Sequence, residues 1–131
     1  MPVYTLACRR PLSADATKKV SHAITDIHCE VTGAPPEFVN IVFMNGHRVR
    51  GGKALGVIGN VRKGGNRNKE LTDDLRDQLR DGIAKAAGLA ASDVNVELLG
   101  FEASRAMEGG EILPQPGDEN VWLERSAARK A

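Results

Sequence analysis

The sequence predicts an α+β fold in which tandem duplicated βαβ units form a four-stranded mixed sheet with two helices on one face. Three observations predict it. An apolar run opens the chain at residues 2–8 (PVYTLAC), a strand–helix–strand pattern follows it, and the same pattern restarts after a loop rich in Gly and Arg. The restart is positional. A shift of 55 carries Gly33 to Gly88, Val39 to Val94, Ser13 to Asn68, and Val20 and Ile24 to Leu75 and Leu79. At 131 residues the chain is read as one domain, 1–131. Its parts are repeat one at about 2–45, repeat two at about 54–100 and a C-terminal loop and tail at 101–131.

Each element has its own local reason. After the first strand, Pro11 stops the chain and Ser13 caps a helix whose Ala16, Val20, Ala23, Ile24, Ile27 and Val31 form one apolar stripe. Gly33 ends that helix, Pro35 and Pro36 forbid its continuation, and 38–43 (FVNIVF) reads as a buried strand. In the second unit, residues 54–61 read as a strand and Asn68 as a cap. Leu71, Leu75, Leu79, Ile83 and Ala86 make the second stripe, Gly88 closes the helix, and 94–99 (VNVELL) is the next strand. Helices on one side leave the other face of the sheet uncovered, and self-association is the simplest way to cover it. Trp122 and Leu123 are expected to anchor the charged tail to an apolar surface.

Charge is nearly balanced, 18 Lys+Arg against 17 Asp+Glu, and aromatic residues are 4% of the chain, so neither nucleic acid nor a membrane is an expected partner. Cys8 and Cys29 lack metal-site or Cys-x-x-Cys spacing and read as reduced thiols of a cytoplasmic protein; no metal or cofactor is expected. The glycine pairs lack the spacing of a phosphate-binding P-loop.

What carries chemistry is the start of the chain. Initiator Met is commonly removed ahead of Pro, which would leave Pro2 with a free secondary amine, and an α-amino group titrates near pH 8 when unperturbed. His28 falls where the sibling helix carries Ile83, a titratable ring in the place of a hydrocarbon; His22 and His47 read as solvated. Residues 61–68 place Arg62, Lys63 and Arg67 at the start of the second helix, like charges on a positive helix end, an arrangement that an incoming carboxylate would relieve. Beyond residue 99 the pattern dissolves into a stretch with Glu102, Glu108 and Glu111, then Leu113 to Gly117 (LPQPG).

The Pro-first strand, the βαβ duplication and the segments AITDIHCEVTG and EILPQPG together resemble the tautomerase superfamily, and within it the cis-3-chloroacrylic acid dehalogenase group. The resemblance runs from Pro2 to about Trp122. It implies two packed βαβ units assembled as a homotrimer, and it implies roles. Pro2 matches the catalytic N-terminal proline, and His28 the helix histidine that binds substrate and positions water. Arg62 and Arg67 match the pair that grips the substrate carboxylate, with a longer spacing here. Glu108, five residues before the Leu of LPQPG, matches the glutamate that activates water. One departure concerns the dehalogenase tyrosine that assists water activation, because by register Glu97 stands in its place.

These residues allow two chemistries. A desolvated Pro2 amine is a general base near pH 7 and moves a proton between the oxygen and the α-carbon of an enol or 2-oxo acid. A cationic Pro2 is an acid that works with Glu108 in adding water to an unsaturated acid. The expected function is proton transfer by Pro2 on a small carboxylate substrate, a keto–enol tautomerisation that makes the protein an isomerase. The alternatives are dehalogenase- or hydratase-like water addition and a non-catalytic trimeric binding protein.

Overall fold

The computed structural model describes residues 2–65 and 67–130; Met1, and with it the expectation that Met1 is removed, lies outside them. Four strands form one mixed sheet in the order β2-β1-β3-β4: β1 at Val3–Cys8, β2 at Asn40–Asn45, β3 at Leu55–Lys63 and β4 at Val94–Glu102. β1 runs parallel to β2 and antiparallel to β3, and β3 runs parallel to β4. The helices α1 (Ala14–Thr32) and α2 (Lys69–Ala87) are the crossovers that two parallel pairs require.

The duplication is as regular as the sequence suggests. Both helices have 19 residues, and every boundary recurs 55 positions later: 14 and 69, 32 and 87. Even the short 3₁₀ turns match, Pro36–Phe38 against Ala91–Asp93. Ser13 Oγ accepts from the Ala16 amide at 3.0 Å and Asn68 Oδ1 from the Leu71 amide at 2.8 Å, caps worth about 1 kcal/mol each. At the other ends Gly33 and Gly88 turn the chain away from the helix.

Period-two alternation decides which side of the sheet the helices cover. Tyr4, Leu6 and Cys8 of β1, Leu55, Val57 and Val61 of β3, and Val94 and Val96 of β4 are buried against Val20, Ile24, Leu75, Leu79 and Ile83. Each such side chain contributes about 1.5–3 kcal/mol by leaving water. The intervening residues form the outer face, where Val42, Met44, Ile58 and Leu99 are about half exposed. The strands therefore alternate rather than carry apolar residues on both faces throughout, and the apolar part of the outer face is a patch.

Two local readings change. The stretch expected as a strand from residue 38 begins with the 3₁₀ turn and pairs only from Asn40, because prolines at 35 and 36 fix φ and lack amides. The tail is also more structured than a loop. A short hairpin, β5 (Met107–Glu108) against β6 (Glu111–Ile112), leads into α3 at Glu119–Lys130. Trp122 holds that helix down. Its ring packs edge-on against Phe38, centroids 5.6 Å apart, and its indole N–H donates to the Ile112 carbonyl at 2.8 Å. No helix among the described residues is long and apolar enough to cross a membrane.

Gly59 in β3 is required by close approach. A Cβ there would stand 2.6 Å from the Tyr4 ring and 2.8 Å from Leu98. Gly59→Ala is expected to cost about 1–3 kcal/mol through overpacking. Denaturant titration checks this, and an unchanged midpoint would show that the Tyr4 ring can shift freely.

Candidate active site

The site forms at the end of the sheet where β1 begins and β3 finishes. β1 and β3 pair so that Val3 faces Asn60. One step further along that register, Pro2 is level with Val61, the residue before Arg62. Pro2 is buried, and its carbonyl accepts from the Asn40 amide at 3.0 Å, which fastens the start of β1 to β2. Over this corner lies the face of α1 that carries His28.

His28 is fully buried, as is its twin Ile83, so its polar ring needs a partner. Tyr4 supplies one. The Tyr4 hydroxyl lies 2.7 Å from His28 Nδ1, and the rings meet edge-on with centroids 5.7 Å apart. Burial raises the phenol's pKa and so keeps it protonated. Burial, with Arg67 and then Arg62 nearby, pulls His28 down to about 3, so the imidazole is neutral. An imidazole nitrogen is a better acceptor than a phenol oxygen, and the phenol the better donor, so Tyr4 donates to Nδ1 and the ring hydrogen resides on Nε2. Nitrogen-15 chemical shifts should report that single tautomer at neutral pH, and Tyr4→Phe should mix the two; an Nδ1-protonated ring in the parent protein would contradict the assignment.

Arg62 is fully buried. Its Nη2 donates to Glu119 Oε1 and makes an ion pair at 2.7 Å, its Nη1 donates to the Pro114 carbonyl at 2.6 Å, and its guanidinium stacks 5.5 Å from the Phe38 ring centroid. Burial works against ionisation of Glu119. The bond from Arg62 and the backbone amides of Glu119 and Gly117 outweigh it, and the carboxyl is held below its usual range. Arg67 Nη1 donates to the Arg62 carbonyl at 2.9 Å. Burial, then repulsion by Arg62, pulls Arg67 down to about 10, still cationic at neutral pH. Closing the corner, the LPQPG segment lies on Gly64 and Gly65. Gly65 has φ +60, and a Cβ on it would stand 2.5 Å from the Pro116 carbonyl oxygen.

Four buried side-chain nitrogens among the described residues meet no acceptor of the protein: His28 Nε2, Arg62 Nε, Arg67 Nε and Arg67 Nη2. All belong to the three residues that the sequence singles out as binding groups. Each such donor costs about 1–3 kcal/mol unless something accepts from it. Nε and Nη2 of Arg67 are the two donors along one edge of its fork, the edge that takes a carboxylate side-on.

The other predicted residues lie on other elements. Glu108 is half-buried on the β5–β6 hairpin, opposite Glu111. Glu97 is on the outer face of the sheet, beside Ile58 in register, and pairs with Arg50 at 3.3 Å. It lines a pocket of about 400 Å³ there, with Met44, Arg48 and Ile58. Sequence reasoning missed Tyr4 and Glu119. The signal for Tyr4 was its place two residues from Pro2 on one strand face. Glu119 gave none, because a single carboxylate in a charged tail looks like any other.

No protein-family model matches the sequence, and no curated protein matches it. Solved structures do match. The crystal structure of N1, a member of the cis-3-chloroacrylic acid dehalogenase family, is similar with a TM-score of 0.85 and 21% identity, over 98% of this chain and 96% of that one. The chain carries the tautomerase-superfamily fold. A fused 4-OT solved as a symmetric trimer shares this fold with a TM-score of 0.70 and 17% identity, over 85% of this chain and 94% of the other. So does a protein solved after inactivation by 2-oxo-3-pentynoate, with a TM-score of 0.70 and 24% identity, over 85% of this chain and 95% of that one. At such identities the likeness is one of the tautomerase fold.

Proposed function

We propose that the protein is an enzyme that uses the amine of Pro2 to move a proton on a small carboxylate substrate, interconverting the enol and 2-oxo forms of the acid. The observation that carries this reading is the set of unaccepted donors on His28, Arg62 and Arg67, with the buried Pro2 level with the residue before Arg62 in the β1–β3 register. Arg67 takes the carboxylate side-on. The Nε2–H of His28 donates to the enol or carbonyl oxygen and steadies the charge that develops there. Pro2, with Met1 removed, takes the proton from the enol oxygen and returns it to the α-carbon. Burial of Pro2 disfavours a charged amine, which supports the base role. The neighbour inactivated by 2-oxo-3-pentynoate is a protein of this fold that reacts with a small 2-oxo acid. In this reading the protein is a homotrimer whose outer-face patch of Val42, Met44, Ile58 and Leu99 is covered by a neighbouring subunit.

A second reading draws on the likeness to N1 over nearly the whole chain. Glu108 then activates water for addition to an unsaturated acid, and Pro2 acts as the acid. One experiment separates the two. Phenylenolpyruvate and cis-3-chloroacrylate are offered in parallel to protein whose intact mass lacks Met1, and to its Pro2→Ala variant. Ketonisation that depends on Pro2 supports the first reading, halide release without ketonisation the second, and ketonisation unaffected by Pro2→Ala overturns the role of Pro2.

A further inference from the structure

Arg62 and Arg67 are inequivalent. Arg62 has both terminal nitrogens engaged by the C-terminal segment, one by the Glu119 carboxylate at 2.7 Å and one by the Pro114 carbonyl, and it keeps only Nε. The ion pair is sealed, with side-chain exposures of 0% for Arg62 and 9% for Glu119, so solvent does little to screen it. The second oxygen of Glu119 accepts from the Gly117 amide at 2.9 Å, which fixes the carboxylate in place. Arg67 makes its one bond to a neutral carbonyl and keeps a whole edge of its fork. Among these four described side chains, Arg62 and Glu119 cancel, His28 is neutral, and Arg67 is the one left with a charge to be matched.

We propose that Glu119 is a specificity-determining residue: by cancelling Arg62 it leaves the site matched to a substrate with one carboxylate and mismatched to a dicarboxylate. The inference rests on the carboxylate-binding reading above and narrows its substrate class. A second carboxylate brought into this corner would find a donor at Arg62 Nε but no uncompensated cation, and a buried charge without a counter-charge is strongly disfavoured. In Glu119→Gln the side chain keeps its shape and its oxygen, the negative charge disappears, and Arg62 becomes a second cation for a ligand to match.

The test is binding, measured by calorimetry on the full chain with two stable acids of equal carbon number, 2-oxopentanoate with one carboxylate and 2-oxoglutarate with two. The parent protein is expected to bind 2-oxopentanoate at least about tenfold more tightly, the scale of one unmatched charge in a partly solvated site. Glu119→Gln is expected to move the ratio by a similar factor toward 2-oxoglutarate. Equal or reversed preference in the parent protein overturns the inference even if the variant does not fold, while leaving the carboxylate reading intact. An unchanged ratio in a folded variant does the same. Binding of neither acid overturns the carboxylate reading and this inference together.

Discussion

Pro2→Ala is expected to lower kcat/KM for enol ketonisation by a factor of about 10²–10⁴, the usual contribution of a positioned general acid or base. Alanine keeps an α-amino group at the same place in the chain, so a loss of this size would belong to the proline ring. The ring fixes φ and holds the nitrogen lone pair in one direction. In a primary amine the same atom turns about one more bond, and the geometry of proton transfer is no longer held. The pH–rate profile of kcat/KM supplies the sign. A base must be unprotonated, so activity should rise with pH through the pKa of the amine. Burial of Pro2 should place that limb below the ordinary value near 8. A limb that falls with rising pH would assign the amine as an acid and favour water addition.

Acid should unfold the protein early, and His28 is the reason. In the unfolded chain His28 titrates at 6.5, and in the folded chain burial and the two guanidiniums hold it to about 3. Between those values unfolding takes up a proton. The stability from the neutral buried ring is fully present above pH 6.5 and is lost as pH falls toward 3, at up to about 1.4 kcal/mol per pH unit. From pH 6.5 to 5 the loss should be about 1.5 kcal/mol, readable from urea midpoints. His28→Phe should remove this slope. A parent protein equally stable at pH 6.5 and 5 would mean that the His28 pocket admits the imidazolium.

The fold was legible wherever its cause is local. Helical stripes, the caps Ser13 and Asn68, the terminators Gly33 and Gly88 and the 55-residue repeat are statements about near neighbours, and the structure carries each of them. The C-terminal helix was not legible because Val121, Trp122 and Leu123 are contiguous and make no 3.6-residue stripe; Trp122 docks through Phe38, 84 positions away. The site divides in the same way. His28, Arg62 and Arg67 stood out as polar breaks in otherwise regular patterns, and they do come together. Which partners they keep is a tertiary matter. Tyr4 is 24 positions from His28 and Glu119 is 57 from Arg62, beyond the reach of any periodicity. Glu97 came only from a family register, and in the protomer it answers to Arg50 instead.

The gap-free duplication has a consequence for symmetry. A chain has one amino terminus, so two joined halves can present one terminal amine where two separate halves would present two. The counterpart of Pro2 in the second half is Val57, sealed in mid-strand with an amide on either side. Released from any shared task with an amine, the second helix carries Ile83 where the first carries His28, and Ala7 stands opposite Arg62 in the repeat. The two halves thus contribute unlike groups: the first supplies Pro2 and His28 and the second Arg62 and Arg67, each at a position where its sibling half carries an apolar side chain.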